Sequence, residues 1–394
     1  MNNKLHWPLM HNNITAGDRQ ELIDFLKEDN ILTQSRNVLA FEEAWSRWLG
    51  VKHSVFVNSG SSANLVTLAA FQALHGTGEV LVPTLTWVSD ITAVIRLGFD
   101  PIFVDINPRT LGMDENQIKK KVTKKTKAVF LTHILGYNAL TDSLLAFLAE
   151  KNIPLVEDVC ESYGATHCTK KLGTFGLVSN FSFYYAHHLT TIEGGMVSTN
   201  NKAIYETVRM LRSHGLVRES TDSDLKRQYE SEYSDLNPEF IFAYPGFNIR
   251  STELNAVMGL SHLKRLDEEI KLRNRNLAFF LANLDPKRYF VDFELEGCSN
   301  YAFTLVLKEP NHAFCERVME TLKDSGVEFR RGTSGGGNQL RQPYLKPYLK
   351  KINYKDFPNV EHVHFFGFYI GNYPSLSEER ISKLCQLLNQ IPLS

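Results

Sequence analysis

The sequence predicts an α/β protein, with a large unit on a mostly parallel central sheet and a smaller C-terminal α+β unit. Two observations point there. Between residues 53 and 158, short apolar runs alternate with helix-compatible stretches at a spacing of roughly 20–28 residues, the rhythm of strand–helix–strand units. Beyond a long helical pattern over 252–284, that rhythm gives way to strands and helices in mixed order. A chain of 394 residues has room for two units, and the expected division is 1–260 and 261–394. Hydrophobic residues make up 43% and charged residues 22%, the balance of a soluble protein with a sizeable core.

The elements follow in order. Gly17 to Asn30 reads as an amphipathic helix, with Leu22, Phe25 and Leu26 at i, i+3 and i+4. Phe41 to Leu49 reads as a second helix, and His53 to Asn58 as a strand. That strand runs into Ser59-Gly60-Ser61-Ser62-Ala63 and then a helix, NLVTLAAFQAL. Strand, small-residue turn and helix together present free backbone N–H groups to a phosphate. Ser59-Gly60-Ser61-Ser62 fits a plain helix N-cap as well. Strands at Glu79–Pro83 and Pro101–Ile106 flank a helix, VSDITAVIRLG. Trp87, just after the first of these, fits either the core or a flat apolar face against a ring. Lys127–His133 and Pro154–Asp158 continue the alternation, with Gly136, Tyr137 and Asn138 on a strand-end loop. Asp158 ends its strand, as a helix cap or a packed hydrogen-bond acceptor.

From Phe181 the chain reads FSFYY, a buried strand, then His187-His188, then Glu193-Gly194-Gly195 and a second β-like run, MVSTN. A polar dyad between two buried strands suits a loop facing a cleft, although a His-His pair is ordinarily a satisfied turn pair. A helix, NKAIYETVRMLRSHG, follows, and Glu219 to Asp235 reads as an exposed, charge-mixed loop. Tyr244 to Arg250 leads into one continuous helix over 252–284. The C-terminal part holds strands at Tyr301–Leu307 and Val327–Arg330 and helices at Ala313–Ser325 and Ser377–Ile391. Arg330, Arg331 and the glycine-rich turn to Gln339 suit a diphosphate or a solvated loop equally.

The run Ser182-Phe183 through Thr190 to Glu193-Gly194-Gly195 resembles the cofactor-lysine segment of the DegT-type sugar aminotransferases. These are fold-type I pyridoxal phosphate (PLP) enzymes that act on nucleotide-linked keto sugars. Position 187, where the family's lysine falls, is histidine. An imidazole has no primary amine to condense with the cofactor aldehyde, but it can move protons near neutral pH. A small branch, the keto-sugar 3-dehydratases, is similar in carrying this exchange together with the His-His pair and the E-G-G turn. The resemblance spans nearly the whole chain and implies a fold-type I aminotransferase-like architecture.

The resemblance also assigns roles. His187 becomes the catalytic acid–base group. Gly60, Ser61, Ser62 and Ser182 match the cradle of the cofactor phosphate, and Trp87 matches an aromatic stacked on the cofactor ring. Asp158 matches the partner of the pyridine nitrogen. In E-D-x-C-E-S-x-G-A, Glu161 stands where most aminotransferases have Gln, beside the ring hydroxyl. The motif G-[YF]-N-x-R is matched by Gly246, Phe247, Asn248 and Arg250, and there the Asn reaches the neighbouring subunit's phosphate, which implies a homodimer with a shared site. His188, Arg250 and Arg330 fall to the substrate side, with His188 alternatively orienting His187. The implied cofactor is PLP or its pyridoxamine form (PMP), with glutamate as amino donor and a nucleotide-linked keto sugar, foremost GDP-linked, as substrate. The expected reaction removes the carbon-3 hydroxyl. Two alternatives stand beside it: a nucleotide-sugar aminotransferase, and an inactive relative with a binding role.

A formal net charge of −1 points to neither nucleic acid nor a membrane surface. No apolar run reaches membrane-helix length, and the N-terminus lacks a signal-peptide core, so a cytoplasmic location is expected. The five cysteines, Cys160, Cys168, Cys298, Cys315 and Cys385, have the spacing of neither a zinc site nor an iron–sulfur cluster, and no metal is expected.

Overall fold

A computed structural model describes residues 4–349 and 352–393. The chain opens with α1 (Ala16–Leu26) and α2 (Arg36–Leu49), and then β1 (His53–Val57), α3 (Gly60–His75), β2 (Glu79–Pro83), α4 (Val88–Arg96) and β3 (Asp100–Val104). Next come α5 (Glu115–Lys121), β4 (Thr126–Thr132), α6 (Asp142–Lys151) and β5 (Leu155–Asp158). A small hairpin, β6 (Thr166–His167) and β7 (Lys170–Lys171), precedes β8 (Val178–Ser182), β9 (Gly195–Thr199) and α7 (Lys202–Arg212). The remainder is α8 (Ser223–Glu232), α9 (Glu253–Leu263), α10 (Leu266–Asn283), β10 (Ala302–Val306), α11 (His312–Asp324), β11 (Phe329–Arg331), α12 (Pro358–Phe366), β12 (Gly367–Gly371) and α13 (Glu378–Asn389).

The large sheet has seven strands in the order β1-β9-β8-β5-β4-β2-β3. Only β9 runs against its neighbours; the pairs β2–β3, β2–β4, β4–β5 and β5–β8 are parallel. Both faces are covered, so β5 is buried along its length and β4 from Ala128 onward, which explains their continuous rather than alternating apolar sequence. One core cluster lies on each face of this sheet. The C-terminal sheet is β10-β12-β11, all antiparallel. Trp7 from the start of the chain joins it, donating from Nε1 to the Gly371 carbonyl at 2.8 Å.

The mostly parallel α/β sheet with a smaller C-terminal sheet is as expected. Several local expectations are corrected. The second helix begins at Arg36, not Phe41, because the Glu253 carboxylate accepts N–H bonds from Ser35, Asn37 and Val38 at 2.8–2.9 Å. That carboxylate satisfies helix-end donors from far along the chain. The expected loop over 219–235 contains α8, capped by Asp222, with no buried residue. The expected continuous helix over 252–284 is broken at Lys264–Arg265, where Arg265 leaves α-helical geometry (φ −117°, ψ −1°) and its guanidinium clamps Asp18 at 2.8 Å. The FSFYY strand starts earlier, at Val178, and ends at Ser182, leaving Tyr184 exposed. The first helix buries only Asp18; Ile23 and Leu26 of its apolar stripe are exposed.

Candidate active site

The site lies at the C-terminal ends of the parallel strands, where open α/β sheets bind ligands. Asp158 ends β5, Thr132 ends β4 and Ser182 ends β8; α3 starts beside them. With Trp87, Glu161, His187, Tyr301, Arg330, Ser334 and Tyr369 they line a cavity of about 390 Å³.

At the floor, Asp158 is buried. Its Oδ1 accepts the Cys160 N–H at 2.8 Å and its Oδ2 accepts an Asn64 Nδ2–H at 3.0 Å. The α3 N-terminus forms one wall. Ser59 caps it, accepting the Ser62 N–H at 3.1 Å, so the N–H groups of Gly60 and Ser61 are the ones left for a ligand. Gly60 is needed for close approach: a Cβ there would lie 2.5 Å from the Ser182 Cβ. Gly195 is equally constrained, since its Cβ would lie 2.2 Å from the Ser59 carbonyl oxygen. Gly60→Ala is therefore expected to push Ser182 away and cost about 1–3 kcal/mol of stability, measurable by denaturant unfolding. An unchanged unfolding midpoint would show that the α3 N-terminus and the end of β8 can separate freely.

Glu161 sits above Asp158. Its Oε2 accepts the Leu135 N–H at 2.9 Å and its Oε1 accepts the Ser334 hydroxyl at 2.7 Å. Burial pushes its carboxyl up to about 7. Below that pH the group is neutral and donates a hydrogen bond; above it the group is charged and only accepts. Activity is expected to fall as pH rises through about 7. Gln keeps a donor at every pH, so the fall should vanish from the kcat/KM profile of Glu161→Gln.

His187 lies in the loop between β8 and β9. The Phe183 N–H to Gly194 carbonyl bond at 2.9 Å and the Thr191 N–H to Phe183 carbonyl bond at 3.0 Å close that loop. The Tyr163 hydroxyl pins Leu189 at 2.9 Å through both its N–H and its C=O. Nδ1 of His187 is buried without a partner, so Nε2 is the nitrogen open to the cavity. Burial, and secondarily the Arg273 charge, lower the ring to about 3. The ring is thus neutral across the physiological range, in the form that accepts a proton, rather than poised near its ordinary value.

Gly60, Ser61, Trp87, Asp158, Glu161, Ser182, His187 and Arg330 all line the cavity. Trp87 is 57% exposed, which rules out the core alternative. Four residues fall elsewhere. His188 is fully buried, and its Nε2–H points at the Ser299 and Asn300 carbonyls at 3.1 and 3.0 Å, so it anchors the loop and does not reach substrate. The Ser62 hydroxyl accepts from Ser59 at 3.0 Å instead of facing the cavity. Asn248 and Arg250 lie on a segment along the β1 edge, bridged to Ser213 and Val57, outside this chain's own cavity. Sequence reasoning missed Thr132, Tyr301, Ser334 and Tyr369. The two tyrosines reach the cavity from the C-terminal sheet, and no local pattern marks them.

The residues fit pyridoxal phosphate. Asp158 suits the ring nitrogen, Trp87 offers a flat face, and Ser61, Ser182 and the α3 N-terminus suit the phosphate. The Gly60 and Ser61 N–H groups left open at the α3 N-terminus, and the Nε2 of His187 that faces the cavity, are the marks of a site shaped for a ligand.

Residues 12–389 match the DegT/DnrJ/EryC1/StrS aminotransferase family. The chain belongs to that family. Among DegT/DnrJ/EryC1/StrS proteins, it is 30% identical to a GDP-4-keto-6-deoxy-D-mannose 3-dehydratase of Escherichia coli O55:H7, over 93% of this chain and 95% of that protein. It is 27% identical to a GDP-perosamine synthase of Caulobacter vibrioides, over 96% of each chain. A crystal structure of GDP-4-keto-6-deoxymannose-3-dehydratase with a trapped PLP-glutamate geminal diamine superposes with a TM-score of 0.87. That match has 28% identity and covers 97% of this chain and 100% of the other.

Proposed function

We propose that this family member is a PLP/PMP- and glutamate-dependent 3-dehydratase of a GDP-linked 4-keto-6-deoxy sugar. The observation that carries the reading is His187: a neutral, cavity-facing imidazole at the position where the family's amine belongs. When bound, the cofactor, in the amino form that glutamate provides, would supply an electron sink for carbon 4 of the sugar. The α3 N-terminus, Ser61 and Ser182 hold it in place of the missing covalent bond. Asp158 keeps its ring nitrogen protonated, and the neutral Glu161 donates to its ring hydroxyl. Nε2 of His187 takes a proton and returns it to the departing carbon-3 hydroxyl, acid–base work typically worth ~10²–10⁴-fold. Tyr301 and Tyr369 wall the cavity against water, and Arg330, which forms no ion pair among the described residues, is free for the diphosphate. The products are a 3-deoxy keto sugar and ammonia.

The aminotransferase reading needs a lysine, and among the described residues no lysine lines the cavity. The reading as an inactive relative leaves the buried Asp158 and the open Nε2 of His187 without a purpose.

The fold supports a homodimer. Ile31 and Leu32 are exposed, as are Ile23 and Leu26, and Asn248 is exposed and outside its own cavity, as a group serving the neighbouring subunit would be. Mixing His187→Asn and Asn248→Ala proteins is expected to restore activity, because a hybrid dimer holds one intact site. No recovery after dissociation and reassociation would count against a shared site. A cytoplasmic location without a membrane partner is part of the proposal; no helix among the described residues is long and apolar enough to cross a membrane. The division near residue 260 is proposed from the break between α9 and α10.

The first half of the reaction is tested without sugar. Protein given PLP and glutamate should release one equivalent of 2-oxoglutarate, and the cofactor should then pass off a desalting column under denaturing conditions. Absence of 2-oxoglutarate would refute amino transfer from glutamate.

A further inference from the structure

Behind Asp158 lies a second acid that no part of the reading above uses. Asp90 is 0% exposed, in the first turn of α4. An acid at that position ordinarily answers the helix N-terminus. Asp90 instead turns into the sheet. Its Oδ1 accepts an Asn64 Nδ2–H at 2.7 Å, and its Oδ2 lies 2.6 Å from the Thr132 hydroxyl and also meets the Thr86 hydroxyl. The same Asn64 nitrogen serves Asp158 Oδ2 at 3.0 Å. The two carboxyl oxygens set the amide's orientation, turning its donor group towards them, while Asn64 Oδ1 accepts the Asn180 Nδ2–H at 2.9 Å. One amide nitrogen thus joins two buried carboxyls, and among the described residues neither carboxyl forms an ion pair.

We infer that Asp90 is a positioning residue: with Asp158 it forms an Asn64-bridged carboxyl pair that holds one proton, on Asp90, and presents one negative charge, through Asp158, to the cofactor cavity. Two carboxylates sharing a low-dielectric site cannot both ionise cheaply. Burial first, and the Asp158 charge second, hold the Asp90 carboxyl well above the usual carboxylate range. The other titratable groups facing it are Cys160 and Tyr344, both pushed up by burial and therefore neutral, so neither offers Asp90 a cation. A neutral Asp90 can donate to a threonine hydroxyl, and it buttresses Asn64 without competing with Asp158 for the ring nitrogen. The inference rests on the cavity being a PLP site, and not on which sugar enters it.

The test uses the apoprotein. Infrared spectra at pH 8 in a Glu161→Gln background, which silences the other raised carboxyl of the cavity, should show a deuterium-sensitive C=O stretch of a protonated acid. Asp90→Asn should abolish that band, and Asp158→Asn should lower the pH at which it titrates. A band that survives Asp90→Asn, or no band at all, overturns the pair. Stability gives a second reading. A carboxyl raised in the folded state contributes fully below its unfolded value of about 4, and that contribution is lost as pH rises towards the folded value. The unfolding midpoint of wild type should therefore fall relative to Asp90→Asn as pH rises from about 4. A constant difference between the two also overturns the inference. Because no sugar is present, these outcomes are independent of whether ammonia is released in turnover.

Discussion

His187→Lys is expected to lose ammonia release from a 4-keto sugar by ~10²-fold or more, and to gain a covalent bond to the cofactor. The new amine would enter the cavity where the imidazole now stands, beside Tyr301, whose ring lies 5.3 Å away. Borohydride treatment followed by intact-mass measurement should show one reduced cofactor per chain in the variant and none in wild type. A lysine restores the amine that ordinary transamination uses, so the variant should turn towards amino-sugar product. Ammonia release at the wild-type rate would show that the role given to His187 is wrong.

Asp158→Asn is expected to weaken PLP binding by roughly 10- to 100-fold, the worth of a charge-assisted hydrogen bond. The reason is directional as well as electrostatic. Asp158 accepts from Cys160 N–H on one oxygen and from Asn64 on the other. An amide in its place has one acceptor and one donor group, so one existing donor would face another. The amide also cannot hold the ring nitrogen protonated. Equilibrium dialysis with PLP, alongside a circular dichroism spectrum to confirm folding, measures the loss. Unchanged affinity would place the ring nitrogen elsewhere.

The sequence signals that proved readable were local. Buried strands such as VLVP and PLVED announce themselves by apolar runs that end at a polar residue, and β2 and β5 lie where those runs fall. The histidine segment was legible because its neighbours on both sides follow a pattern with one residue changed. Long-range contacts were not legible. The cap that extends α2 comes from Glu253, and the middle strand of the C-terminal sheet, β12, lies in a Gly- and aromatic-rich stretch with no alternation. No local pattern singles out Asp90, because its partners Asn64, Thr132 and Asp158 come from three other elements. His188 misled for the same reason: adjacency to His187 suggested a shared task, whereas its ring is held by carbonyls at 299–300.

The most direct measurement is the nitrogen balance of wild-type protein with PLP, excess glutamate and a GDP-linked 4-keto-6-deoxy sugar. If the imidazole at 187 steers the chemistry to loss of the carbon-3 hydroxyl, each sugar consumed yields one ammonia and one 3-deoxy keto sugar. A sugar that keeps the nitrogen at carbon 4 and its hydroxyl at carbon 3 would contradict the account.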